Sequence, residues 1–247
     1  MPAGAGQGDL EMKNFLAAIL FAPVLAFASG ATLHLDRAPD KANDMAALQN
    51  GAKIFVNYCL NCHSASYMRY NRLKDIGLSD TQVKDNLLFT AEKVGEPMKT
   101  AMQRADAKVW FGAAPPDLTV IARARASEFG SGADWLYTYL RTFYRDESRP
   151  TGWNNVAFEN VGMPHVLWEL QGDQVMGADH KLTLVKPGKL KPQEFDAVVG
   201  DLVAYLKYMG EPVAEFRKQL GVIVLIFLAV FFVFAYALKR EYWKDIH

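Results

Sequence analysis

The chain has only two cysteines, and both stand in one pentapeptide, Cys59-Leu60-Asn61-Cys62-His63. At this spacing each thiol can add to a vinyl group of a haem, and the imidazole beside them can ligate the iron from one face. A chain in which this run is used for attachment has to fold around a flat macrocycle. Two plainer readings compete. A thioredoxin-like redox pair needs a βαβ context, and none is visible around the motif. A closed zinc site needs four ligands, and the other histidines, His34, His165, His180 and His247, form no pair at zinc spacing. There is one attachment motif and no internal repeat, which implies one covalent haem c.

Covalent haem attachment in bacteria takes place outside the cytoplasmic membrane, so the motif calls for an export signal. Lys13 supplies a short positive region, an apolar stretch runs from Phe15 to Phe27, and Ala26-Phe27-Ala28 is an A-x-A cleavage pattern, with Ser29-Gly30-Ala31 as a second possibility. An uncleaved N-terminal anchor is the alternative. The first eleven residues read as an extension or as a start placed ahead of Met12, so residues 1–31 are set apart from the fold as extension and signal peptide. At the other end, residues 220–238 hold no charge and are dense in Val, Ile, Leu and Phe. At a helical rise they span about 28 Å, close to the thickness of a bilayer core. Arg217 and Lys218 precede this run. Lys239, Arg240 and Lys244 come after it, with Tyr236, Tyr242 and Trp243 near that interface. Residues 217–247 therefore read as a single-pass anchor in the bacterial inner membrane, with lipid around it and a short cytoplasmic tail. The globular part would face the periplasm.

Residues 32–216 are long enough for one domain with its own core. The whole chain balances 27 Lys+Arg against 27 Asp+Glu. The domain itself is close to neutral, unlike a nucleic-acid binder, and it has no spare cysteine for a disulfide. Asn43 or Asp44 can cap a helix whose apolar positions, Ala47, Leu48, Gly51, Ile54, Phe55 and Tyr58, run straight into Cys59. A second helix starts near Pro192. It carries a stripe through Phe195, Val198, Val199, Leu202, Tyr205, Leu206 and Met209, and Gly210 with Pro212 stops it. Residues 135–144, opened by Asp134, read as a third. Residues 111–116 and 149–164, rich in Gly, Pro and Asn, read as ordered loops that wrap a cofactor. Few segments alternate with period two, so the fold is predicted to be mostly α: a cytochrome c-type haem domain with a single C-terminal transmembrane helix. In such a fold the first and last helices cross beside the haem, and Gly51 would permit close approach there.

His63 leaves one axial position to another residue. A low-spin carrier fills it with Met or a second His, whereas a sensor leaves it open. Met163 is favoured among the nine methionines because it stands between Gly162 and Pro164, which can hold a sulfur with little freedom. His165 is the rival. Met98 and Met102, on a helix-like segment, remain possible.

With these residues in view the chain resembles the cytochrome c1 family, the haem subunits of ubiquinol–cytochrome c reductase (bc1) complexes. The resemblance covers the mature chain. It rests on Cys59-Leu60-Asn61-Cys62-His63, Ala114-Pro115-Pro116-Asp117-Leu118, Gly162-Met163-Pro164 and one anchor ending in Tyr236-Ala237-Leu238-Lys239-Arg240. It implies that Cys59 and Cys62 hold the haem and that His63 and Met163 are the axial ligands. Pro116 would lie close to the haem, and Arg125 would meet a haem propionate. Trp135 would take the place of the family's aromatic partner, which is commonly Tyr. The resemblance further implies an electron-carrying subunit that is no enzyme by itself. It would take one electron from the Rieske iron–sulfur protein and pass it to a cytochrome c, with its anchor packed on cytochrome b. A haem sensor with an open iron site and an anchored cytochrome serving another oxidase are the competing functions.

Overall fold

The computed structural model of the protein describes residues 33–245. The extension and signal peptide read over residues 1–31 lie outside the described residues. Among the described residues the α-helices are α1 (Met45–Ile54), α2 (Asp80–Asn86), α3 (Arg104–Phe111), α4 (Ile121–Ala124), α5 (Gly132–Arg141), α6 (Trp168–Gln171), α7 (Pro192–Gly210) and α8 (Ala214–Tyr242), with a 3-10 helix at Tyr70–Ile76. Three antiparallel two-stranded ribbons accompany them: β1 (Ala65–Arg69) with β2 (Pro97–Met98), β3 (Phe143–Arg145) with β4 (Trp153–Asn155), and β5 (Gly172–Met176) with β6 (Leu182–Pro187).

The chain enters α1 through Asp44, whose carboxylate accepts the Ala47 N–H at 3.0 Å and so caps the helix. Ala47, Leu48 and Gly51 are buried, on the stripe expected from the spacing, and Ala52 beside them is buried as well. The helix then widens into a π-type turn, Phe55–Cys59, which delivers the chain into the attachment motif. The closing helix α7 carries Pro192 in its first turn. Phe195, Val199, Leu202, Tyr205, Leu206 and Met209 on it are buried, and Val198 is half-buried.

Helices α1 and α7 cross at Gly51. A Cβ there would collide with the Asp201 carbonyl oxygen and would lie 2.7 Å from the Tyr205 Cβ, so only glycine fits. A polar strap braces the crossing. Asp201 accepts Lys41 Nζ at 2.6 Å and Asn50 Nδ2 at 2.7 Å, while the Phe55 and Tyr205 rings meet at 5.7 Å. Burying side chains such as Phe55, Tyr205 and Phe195 contributes about 2 kcal/mol each.

Helix α5 differs from its expected bounds. It starts at Gly132, not Trp135, because Ser131 is the cap and Asp134 closes a reciprocal capping box with it. It ends at Arg141, and Phe143–Arg145 turns into a strand. Phe143 pairs with Asn155 and Arg145 with Trp153, inside the stretch expected to be a loop. The segment around Met98 is a strand paired with β1, not a helix, and Met98 is fully buried. An arm before α1 is tied to α5: the Asp36 N–H donates to Thr138, and Arg141 bridges Asp36 and Asp196.

Helix α8 runs further than the charge-free stretch in both directions. Within its segment Phe216–Tyr242 the most apolar 18-residue window has a mean hydropathy of 2.9 and is not buried against the rest of the chain, and the helix is long and apolar enough to cross a membrane. At its root Glu211 pairs with Arg123 at 3.1 Å and also with Arg217.

Candidate functional site

The attachment motif folds as one tight turn. The Leu60 N–H reaches back to the Phe55 carbonyl, and the Cys62 and His63 N–H groups both donate to the Cys59 carbonyl, at 3.1 and 2.8 Å. This winding turns both thiols and the imidazole toward one cleft. The thiols form no disulfide. Burial pushes the Cys59 thiol up to about 12, with Cys62 adding to it, and burial raises Cys62 as well. Redox exchange needs a thiolate, which this setting disfavours. Among the described residues no cluster of three or more His, Cys, Asp or Glu could hold a metal ion.

The ring of His63 is fixed from behind. Its Nδ1 lies 2.8 Å from the Pro116 carbonyl oxygen, an acceptor only, so the proton sits on Nδ1 and Nε2 keeps its lone pair. Burial lowers the pKa of His63, against smaller raising effects from Pro116 and Asp117, and so favours the neutral form that an iron ligand needs.

Pro116 is held in turn by a loop laced to β1. The Leu118 N–H donates to the Ser64 carbonyl at 2.8 Å. Asp117 Oδ2 accepts the Ser66 N–H at 2.8 Å, and its Oδ1 accepts both the N–H and the hydroxyl of Thr119. Burial raises the Asp117 carboxyl, but these hydrogen bonds outweigh it and hold the group below the usual carboxylate range. Two prolines stiffen the same loop.

Met163 reaches the cleft from a different segment. Strand β4 ends in Asn154-Asn155, both buried, and their side chains organise the loop beyond the strand. Asn155 Oδ1 accepts the Ala157 and Phe158 N–H groups, while its Nδ2 donates to the Tyr139 carbonyl at 2.7 Å. Asn154 Oδ1 accepts the Asn160 N–H at 2.9 Å. Arg149 clasps Asn160 twice, at 3.0 Å each, and Asn160 adopts a positive φ of 60°. The chain then passes the end of α3 and places Met163 on the cleft, where its sulfur accepts the Tyr139 hydroxyl at 3.3 Å.

His165, the rival ligand, is not on the cleft. It is buried behind it, stacked on Phe143 at 4.8 Å, and burial lowers its pKa to about 4. Met98 lies in the core under Tyr205, away from the cleft lining, and Met102 does not line the cleft either.

The cleft has a volume of about 1220 Å³ including its open mouth. Leu136, Leu140, Leu202, Leu206, Ile121 and Val161 make most of its wall apolar. Among the described residues Arg125 is the one cation of the lining. Its guanidinium lies 4.4 Å over the Trp135 ring and 5.6 Å from Phe158. The lining fits a covalent haem: two thiols and an imidazole with a free Nε2 share an apolar slot with a thioether and a cation. The structure brings together Cys59, Cys62, His63, Met163, Pro116, Arg125 and Trp135. Sequence reasoning does not single out Tyr139, Asn154, Asn155 or the anchoring role of Asp117. The doublet Asn154-Asn155, two polar residues between Trp153 and Val156, is the sole local hint.

Residues 37–246 match the cytochrome c1 family. The chain belongs to this family. It is 48% identical to the cytochrome c1 of Allochromatium vinosum, over 93% of this chain and 96% of that protein. It is 51% identical to a Nitrosomonas europaea protein named ammonia monooxygenase gamma subunit, over 96% of this chain and 99% of the relative. Identity to the cytochrome c1 of Rhodospirillum rubrum is 27%, over 82% of this chain and 83% of that protein. The Nitrosomonas europaea name stands at odds with the family match. Homology to cytochromes c1 supports covalent haem c and an electron-transfer subunit.

Proposed function

We propose that the protein is the haem-carrying subunit of a bc1 complex. It would receive one electron from the Rieske iron–sulfur protein and pass it to a cytochrome c. One observation carries this reading: Cys59, Cys62, His63 and Met163 meet in one apolar cleft, although 100 residues separate the two expected axial ligands (163 − 63). When bound, haem c supplies a one-electron ferric/ferrous couple. The chain's own residues do the rest. Cys59 and Cys62 would hold the group by thioethers, one group per chain. His63, oriented by Pro116, and Met163 would ligate the iron, a pair that raises the potential relative to two histidines. Arg125, braced on Trp135, would offset the charge of a propionate. The subunit makes and breaks no substrate bond, so hydroquinone oxidation belongs to a partner.

In this reading residues 1–31 are extension and export signal and residues 32–216 the periplasmic haem domain. Residues 217–247, with the span at 220–238, anchor it in the inner membrane beside cytochrome b. The apolar surface of α8 and its flanking cations support that anchor.

The test is purification in mild detergent through a tag on this chain, then flash-induced electron transfer. Cytochrome b and the Rieske protein should come with it, and the haem c signal should be reduced after the Rieske centre and reoxidised by added cytochrome c. Recovery with a monooxygenase, or without cytochrome b, would overturn the reading.

A further inference from the structure

We propose that Tyr139 is a positioning residue for Met163, and that its hydroxyl sets how strongly the sulfur can donate to the oxidised iron. The inference rests on the reading above that Met163 is an axial ligand. Tyr139 Oη donates to Met163 Sδ at 3.3 Å. The ring has little room to turn away. Its face stacks on Trp135 at 4.8 Å and 13°, Phe143 meets it edge-on at 5.0 Å, and its own carbonyl is held by Asn155 at 2.7 Å. Only 8% of the residue is exposed, so water does not compete well for the hydroxyl. Met163 is thus held from two sides: its backbone continues the loop built by Asn154, Asn155 and Arg149, and its sulfur is pinned by a donor on α5.

A thioether sulfur is a weak acceptor with two lone pairs. A hydrogen bond to one of them draws electron density from the sulfur and weakens what the other can give. The ferric state depends more on that donation than the ferrous state does. The Tyr139 hydroxyl therefore favours the reduced form and loosens the ferric iron–sulfur bond. Removing the hydroxyl while keeping the ring should do the reverse.

The experiment is Tyr139→Phe in the full-length protein within its membrane complex, read by redox titration and by the far-red Met–ferric band during titration with imidazole. A hydrogen bond to sulfur belongs at the low end of net hydrogen-bond worth, which corresponds to a change of about threefold. We expect the redox equilibrium to move about threefold toward the oxidised form, about 28 mV lower at 59 mV per tenfold for one electron. Half-loss of the band should need about threefold more imidazole. A ring that merely packed the loop would give the opposite sign in the second readout, because a looser Met163 yields to imidazole sooner. An unchanged potential, or a fall in imidazole resistance, overturns the proposal. If the variant does not fold, fluorotyrosine placed at position 139 alone replaces it. This donor is stronger and of nearly the same shape, and it should raise the potential; no rise overturns the proposal. If the unmutated protein shows no far-red band, it is the Met163 reading that fails.

Discussion

The two sides of the cleft are built in different ways. On the His63 side the backbone does most of the work. A π-type turn continues α1, the motif's N–H groups close on Cys59, and the Pro116 carbonyl, on a loop laced to β1, fixes the imidazole. On the Met163 side, side chains do it. Asn154, Asn155 and Arg149 hold a long irregular segment by its backbone groups, and Tyr139 holds the sulfur. The attachment turn is closed by its own backbone. The Met163 segment depends on side-chain partners 2 to 24 residues away, so damage there should separate ligand geometry from haem attachment.

Four substitutions sharpen that contrast, the largest effect first. Gly51→Val forces apart the crossing from which the His63 side hangs. It should cost about 3 kcal/mol or more, measured by denaturant unfolding of the full-length protein. A cost under about 1 kcal/mol would mean that the crossing is not tight. Asn155→Ala leaves the part-buried N–H groups of Ala157 and Phe158 without their acceptor and should cost about 2 kcal/mol. It should also diminish the far-red band while haem stays covalently attached on denaturing gels. Loss of both together would erase the distinction between the two sides.

Asp117→Asn, back on the His63 side, should cost about 1–2 kcal/mol, because an amide cannot accept on both of its heteroatoms. The folded state holds this carboxyl below its unfolded pKa, so its stabilising effect is fully present above about pH 4. That effect is lost as pH falls through the lower, folded value. The gap between the wild type and the Asn variant should therefore be constant at neutral pH and close only in acid. Arg149→Ala is the mildest, at about 0.5–1 kcal/mol, since its two bonds to Asn160 are exposed. It should broaden the far-red band before it moves a melting curve.

The same contrast governs which features are legible in the sequence. Cys59, Cys62 and His63 announce themselves because their chemistry needs a fixed short spacing. The α1–α7 crossing is visible in two apolar stripes and in Gly51. The start of helix α5 reads too late because Asp134, a plausible cap, is the inner half of a capping box with Ser131. The ribbon β3–β4 escapes detection because three-residue strands carry no period, and its Asn154-Asn155 looks like loop material. Met163 draws attention through the flanking Gly162 and Pro164. Its separation from His165 needs the family resemblance, since nothing local says which of two nearby ligands faces the cleft. The structure separates them: Met163 lines the cleft, and His165 stacks behind it on Phe143.

The deciding measurement is a set of optical spectra of the purified protein, oxidised and dithionite-reduced, with and without carbon monoxide, recorded beside Met163→Leu. Ligation by His63 and Met163 should give a low-spin reduced spectrum, a far-red Met–ferric band and no response to carbon monoxide in the wild type, with the band lost and carbon monoxide bound in the variant. A wild type that is high-spin and binds carbon monoxide, or a Leu variant that stays low-spin with its band intact, would contradict a carrier ligated by His63 and Met163.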